Sequence, residues 1–124
     1  MIGTVLPELS LDATPTFIVS TAIATRDFQE VHHDRDLAVA RGSADIFLNI
    51  LTTTGLVQRY VTDWAGRSAR VGGVKIRLGV PCYAYDRLTF SGEVTAADGP
   101  TLTVAVVGRV SRGDHVRGTV AVTL

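Results

Sequence analysis

From Arg70 to the end of this 124-residue chain, apolar side chains return at every second position. The series runs Val74, Ile76, Leu78 and Val80; then Leu88, Phe90, Gly92 and Val94; then Leu102, Val104, Val106, Gly108 and Val110; and last Val116, Val120, Val122 and Leu124. Successive side chains of a strand point to opposite faces, so the pattern specifies strands with one apolar face each. The interruptions AADGP and SRGDH are turns, and Asp-Gly between alternating runs is a strong hairpin signal. Four such strands leave a continuous apolar surface that something else must cover.

The cover lies upstream, where the period changes. In ARGSADIFLNILTTTGLVQRYVTDWAG, Ile46, Ile50, Val57, Tyr60, Val61 and Trp64 recur at helical spacing. Ser43 is a candidate N-cap, Asp45 suits the positive helix start and Gly66 is a candidate stop. This predicts a helix of about five turns. Thr52, Thr53, Thr54 and Gly55 lower its intrinsic propensity, so burial must hold it. The segment TPTFIVSTAIA, rich in β-branched and aromatic residues, predicts the first strand. The expected architecture is α+β, with one long central helix wrapped by a five-stranded antiparallel sheet in a single domain over residues 1–124.

Charge and composition remove several function classes. Twelve basic residues balance twelve acidic ones with no basic run, which leaves no electrostatic footprint for nucleic acid or an anionic membrane. The opening MIGTVLPELS lacks the charged and apolar regions of a secretion signal. No apolar run approaches the roughly 18 residues that span a bilayer. A cytoplasmic location is expected, and a chain this short with one thin sheet is expected to need a partner. The single cysteine, Cys82, excludes an internal disulfide and reads as a packing residue. Tyr83, Tyr85 and Trp64 read as packing or interface groups. Gly72-Gly73 is not followed by a helix at phosphate-loop spacing and reads as a bulge or a flexible strand entry.

One stretch fits neither core nor ordinary loop: TRDFQEVHHDRD, Thr25 to Asp36. Two of the chain's three histidines stand together there, with Asp27 five residues before the first. A metal site is not expected, because adjacent His32 and His33 point apart and no third ligand has a suitable spacing. By spacing alone, Asp27 and His32 read as a capping or solvated loop set rather than a catalytic pair. His33 reads as a neighbour, facing solvent or bonded to structure.

The element order, with this motif between the first strand and the buried helix, resembles the hot-dog fold of the MaoC-like, R-specific enoyl-CoA hydratases, also called hydratase 2. Their motif runs Asp, any residue, Asn, Pro, an aliphatic residue, His, five residues, then a small one. Asp27, Val31, His32 and Ala38 fit it, whereas Gln29 and Glu30 stand where Asn and Pro are usual and Arg26 replaces a common Gly. ARGSADIFLNIL looks like the family's turn into its central helix, with Gly42 where the family uses a backbone N–H. VKIRLGVPCYAYDRLTFSGEV resembles its passage of strand, Pro, Asp, Leu-Thr, strand. The variant DFQEVHHDRD in a chain with one hot-dog unit is most similar to the small subunit of the heteromeric, steroid-degrading actinobacterial members.

The resemblance implies addition of water to a trans-2-enoyl-CoA carrying a steroid side chain. His32 and Asp27 would activate the water and the Gly42 N–H would hold the thioester oxyanion. Coenzyme A arrives as part of the substrate, so no cofactor and no metal are implied, and the expected partner is a second MaoC-like hot-dog subunit. Among Arg67, Arg70, Lys75 and Arg77, the candidates for the coenzyme A phosphates are Arg77 and Arg70. The chemistry is coherent: near neutral pH an imidazole can be a neutral base while a carboxylate beside it stays anionic. Two other readings use the same fold. One is a non-catalytic acyl-CoA-binding scaffold, its pair disabled by the altered turn. The other is a thioesterase, for which Asp45 lies too near the start of the central helix and Asp63 too near its end.

Overall fold

The computed structural model describes all residues 1–124. The alternating half forms β2 (Arg70–Leu78), β3 (Arg87–Asp98), β4 (Thr101–Val110) and β5 (Gly113–Thr123). With β1 (Val5–Asp12) they make one antiparallel sheet in the order β1-β3-β4-β5-β2. The apolar phase read from the sequence is the buried phase in β3, β4 and most of β5: Leu88, Phe90 and Val94, Leu102, Val104, Val106 and Val110, and Val116, Val120 and Val122 line the inner face, whereas Leu78 and Leu124 are exposed. Gly108 sits in that phase opposite both Phe90 and Val116. A Cβ there would lie 2.8 Å from Val116 and 2.9 Å from the Phe90 ring, so a side chain is excluded where the ring lies. The helix α3 (Ile50–Ala65) fills the concave face with Thr53, Leu56, Val57, Tyr60 and Val61. Tyr60 stacks on Phe90 at 5.7 Å and donates its hydroxyl to the Pro7 carbonyl at 2.7 Å. The Gly72-Gly73 pair lies at a register shift between β2 and β5, a bulge as expected.

The first half departs from expectation in three places. TPTFIVSTAIA is not a strand but the helix α1 (Pro15–Ala24). Thr14 accepts from the Phe17 N–H at 3.1 Å, Pro15 occupies the first turn, and the Thr21 hydroxyl donates back to the Phe17 carbonyl. The cap and the proline in the first turn favour the helix against the β propensity of the residues, and Ile18 and Ala22 turn inward one helical turn apart. The first strand is instead VLPELSLD, an edge strand whose register slips between Leu6 and Leu9, around the Pro7 that cannot donate to a ladder. The central helix begins at Asn49, not Ser43: the Asn49 side chain accepts from the Thr52 N–H at 3.1 Å. Ile46 therefore precedes the helix and Phe47 pairs with Tyr83, while Gly66 does end it, at φ 96°. A 3-10 turn (Glu30–His32) and the short helix α2 (Arg35–Ala40) fill the space between α1 and α3. No helix is long and apolar enough to cross a membrane.

Phe90 is fully buried between the sheet and Tyr60. Phe90→Ala is expected to lower the free energy of unfolding by about 3–5 kcal/mol, read from urea unfolding, because the cavity opens under a helix that cannot collapse into it.

Candidate active site

The chain leaves α1 through Arg26, which adopts φ 56°, a left-handed conformation that disfavours any residue with a Cβ. That reversal lets the Asp27 N–H reach the Ala22 carbonyl at 2.8 Å and aims the carboxylate at the start of α3. One carboxylate oxygen, Oδ1, accepts from the Gln29 N–H at 3.2 Å, an Asx turn formed without the usual Asn-Pro. The 3-10 turn follows and carries His32 inward, 6% exposed, where its Nδ1 lies 2.7 Å from the Phe47 carbonyl. A carbonyl only accepts, so Nδ1 carries the hydrogen and, in the neutral ring, Nε2 keeps a free lone pair. This Nε2 lies 3.4 Å from Asp27 Oδ2. His33 points the other way and its Nε2 donates to the Asp27 carbonyl at 2.6 Å. The adjacent histidines thus divide the work, His32 facing the carboxylate and His33 holding its backbone.

The start of α3 completes the site. Asn49, 2% exposed, donates from Nδ2 to Thr25 Oγ1 at 2.8 Å and to Asp27 Oδ2 at 3.2 Å, while its Oδ1 caps the helix. Burial by itself would raise the Asp27 carboxyl, but the Gln29 N–H, the Asn49 amide and the nearby imidazoles outweigh it and hold the group below its usual range. The amides of Ile50 and Leu51 open the helix and have no acceptor in the chain. A cleft of about 280 Å³ lies over these groups, bounded by Asp27, His32 and Ile50 on one side and by Leu78 to Pro81 and His115 on the other.

His115 is the third histidine and is 3% exposed. Its Nδ1 lies 2.8 Å from the Val80 carbonyl, so it carries the hydrogen, and its Nε2 accepts from the Thr53 hydroxyl at 2.8 Å. Burial pushes its titration below the ordinary histidine value, against the opposing pull of the Val80 carbonyl and the Asp86 carboxylate.

Over its whole length the chain is 67% identical to the 3-oxo-4,17-pregnadiene-20-carboxyl-CoA hydratase beta subunit of Mycobacterium tuberculosis, and it covers 96% of that protein. The chain belongs to the MaoC-like hydratase family. No protein-family model matches it. The crystal structure of the ChsH1-ChsH2 complex from Mycobacterium tuberculosis contains a chain with 67% identity and a TM-score of 0.99, covered to 98% by all of this one. The (R)-hydratase from A. caviae involved in PHA biosynthesis shares the hot-dog fold at 20% identity, with a TM-score of 0.91 over all of this chain and 96% of that one.

Not every candidate of this MaoC-like chain comes to the cleft. Asp27 and His32 do. Gly42 does not lie at a helix start: it follows the end of α2 at φ 94°, its N–H is donated to the Val39 carbonyl at 3.0 Å, and it does not line the cleft. The free helix-start amides belong to Ile50 and Leu51, because the cap is Asn49. Arg77 stands beside Leu78 at the rim and directly opposite Arg117, two cations across a strand pair, whereas Arg70 lies at the far end of β2, about 23 Å from Arg77 along the strand. Asp45 precedes α3 and faces Arg35 at 3.6 Å, and Asp63 pairs with Arg59 near its end, so neither carboxylate sits mid-helix over the cleft. Cys82 is fully buried, and burial pushes its thiol up to about 12, so it is the packing residue expected. Sequence reasoning missed Asn49 and His115. Asn is a strong cap residue and could have been read as one; nothing in a strand pattern marks His115 as inward.

Two measurements check this account. Asn49→Ala is expected to cost about 1–2 kcal/mol of unfolding free energy through the lost cap, and to move the Asp27 carboxyl titration upward in an NMR experiment. His115 takes up its proton more readily unfolded than folded, so stability rises with pH through the window below the ordinary value of about 6.5 and falls as acid is added. The depressed Asp27 carboxyl adds a further loss only below its unfolded value of about 3.9. Urea midpoints between pH 5 and 7.5 should show the first slope, and His115→Gln should flatten it.

Proposed function

We propose that the chain is a hydratase subunit that adds water to the double bond of a 2-enoyl-CoA, with His32 and Asp27 activating the water. The observation that carries the reading is the pair of acceptors, His32 Nε2 and Asp27 Oδ2, 3.4 Å apart and open to one cleft. Two lone pairs that close repel unless something donates to both. A water molecule does so, one hydrogen to each, leaving an oxygen lone pair for C3 of the enoyl group. As the C3–O bond forms, His32 takes a proton from the water, and the anionic carboxylate stabilises the imidazolium. Electrons of the double bond move onto the thioester oxygen. The unused amides of Ile50 and Leu51, at the positive end of α3, are suited to receive that charge, in the role expected of Gly42. The proton returns from His32 to C2, so water is consumed and the imidazole is regenerated.

The likeness to the Mycobacterium tuberculosis beta subunit supports a steroid enoyl-CoA as substrate and a second hot-dog subunit as partner. Apolar side chains at the mouth agree with a bulky apolar acyl group and a covering subunit: Ile50, 52% exposed, and Leu78, 42% exposed, both line the cleft. Arg77, opposite Arg117, is the basic residue best placed at the rim for the coenzyme A phosphates.

The test follows the conjugated enoyl-thioester absorbance of a steroid side-chain enoyl-CoA with the chain co-purified with its hot-dog partner. Asp27→Asn and His32→Ala are expected to lower kcat by about 10²–10⁴-fold with the complex intact. Wild-type rates in either variant would rule the pair out as the catalytic groups, and a wild-type complex that binds the thioester without hydrating it would favour a scaffold.

A further inference from the structure

His115 departs from the strand that carries it. Between β4 and β5, Gly108 pairs with Val116 and Arg109 with Asp114, so His115 is the extra residue of a bulge. The bulge breaks the alternation and turns both His115 and Val116 inward, which a regular strand forbids. The imidazole aimed in this way touches the two sides of the cleft at once. Its Nδ1–H reaches the Val80 carbonyl in the Gly79–Pro81 wall, and its Nε2 receives the hydroxyl of Thr53 in the first turn of α3. The wall is tied back to the same bulge, through Gly79 N–H to the His115 carbonyl at 2.7 Å and Val80 N–H to the Asp114 carbonyl at 3.0 Å. The approach is so close that a Cβ on Gly79 would lie 2.2 Å from the Asp114 oxygen.

Thr53 has another use for its hydroxyl available. Its neighbour Thr54 bonds back to the Ile50 carbonyl at 2.8 Å, as helical threonines commonly do, but Thr53 is fully buried and bonds across to His115 instead. The Thr53 N–H also closes the first bond of the helix, to the Asn49 carbonyl at 3.1 Å. A force on Thr53 is therefore a force on the turn that presents Asn49, Ile50 and Leu51. We infer that His115 is a positioning residue: through Thr53 it sets the first turn of α3, with its free amides and its hold on Asp27, at a fixed distance from the opposite wall of the cleft. This rests on the hydratase reading for its consequence in catalysis, though the strut itself does not.

In the complex with the partner subunit, Thr53→Val, which keeps shape and removes the hydroxyl, is expected to lower kcat about tenfold and change KM less than twofold, because a small displacement of positioned groups acts on the transition state more than on binding. Thr53→Ser restores the hydroxyl and should recover kcat. His115→Gln should show the same split, and the double variant should lose no more than the worse single one. In the amide NMR spectrum, Thr53→Val should shift the Ile50 and Leu51 resonances and Thr53→Ser should not. Wild-type kcat in Thr53→Val, failure of Thr53→Ser to recover, or unmoved Ile50 and Leu51 amides would overturn the inference. Should the wild-type complex hydrate no enoyl-CoA, the hydratase reading fails separately, and the amide shifts alone decide for or against the strut.

Discussion

Asn49 is almost wholly buried, and an amide is tolerated there only because its bonds are made. Its oxygen caps the helix around which the sheet closes, and its nitrogen holds the carboxylate of the site. Helix start and the Asp27 carboxylate are thereby one structural unit. Inserting one residue between the cap and the apolar stripe of α3 would turn the stripe by about 100° relative to Asn49, so that core packing and the amide bond to Asp27 could not both be kept. The core therefore constrains the site directly: the helix that packs Leu56, Val57, Tyr60 and Val61 into the same core as Phe90, Val104 and Val120 also brings Ile50 to the cleft.

Around that unit the three histidines hold three different roles, and hydrogen bonding separates them. His32 and His115 each face a carbonyl with Nδ1, which leaves Nε2 the acceptor in both. For His32 the free nitrogen meets a carboxylate and open space, a chemical arrangement. For His115 it meets a threonine hydroxyl, which satisfies it and makes the ring a tie between helix and wall. His33 donates to the backbone of Asp27 and lies outside the cleft. Residue type alone would have treated the three alike.

The turn that carries Asp27 forms without the Asn-Pro of the motif it resembles. Gln29 supplies the N–H that an Asx turn requires, and the 3-10 turn from Glu30 brings His32 back to Phe47. Arg26 bears a left-handed conformation where a glycine would be at ease, a local strain that the Asp27 N–H bond to Ala22 and the packing of α1 over-determine.

Period-two alternation from Arg70 onward was enough to specify four strands and the inner faces of β3 and β4, because strand side chains alternate whatever the surroundings, whereas Leu78 and Leu124 of the same apolar phase lie exposed. The helical stripe through Val57, Tyr60 and Val61 and the stop at Gly66 were legible for the same reason, since both follow from local backbone geometry. The Asp27 and His32 pair was legible through spacing and resemblance. What the sequence left undecided were choices between near-equal local options. TPTFIVSTAIA has β-branched residues and a helix cap together, and the cap prevails where β1 already holds the edge beside β3. Ser43 and Asn49 are both good caps, and only the contact with Asp27 and the depth of the sheet select Asn49. The inward turn of His115 is a bulge, a property of two strands in register and of neither alone, so it existed only once β4 and β5 had paired.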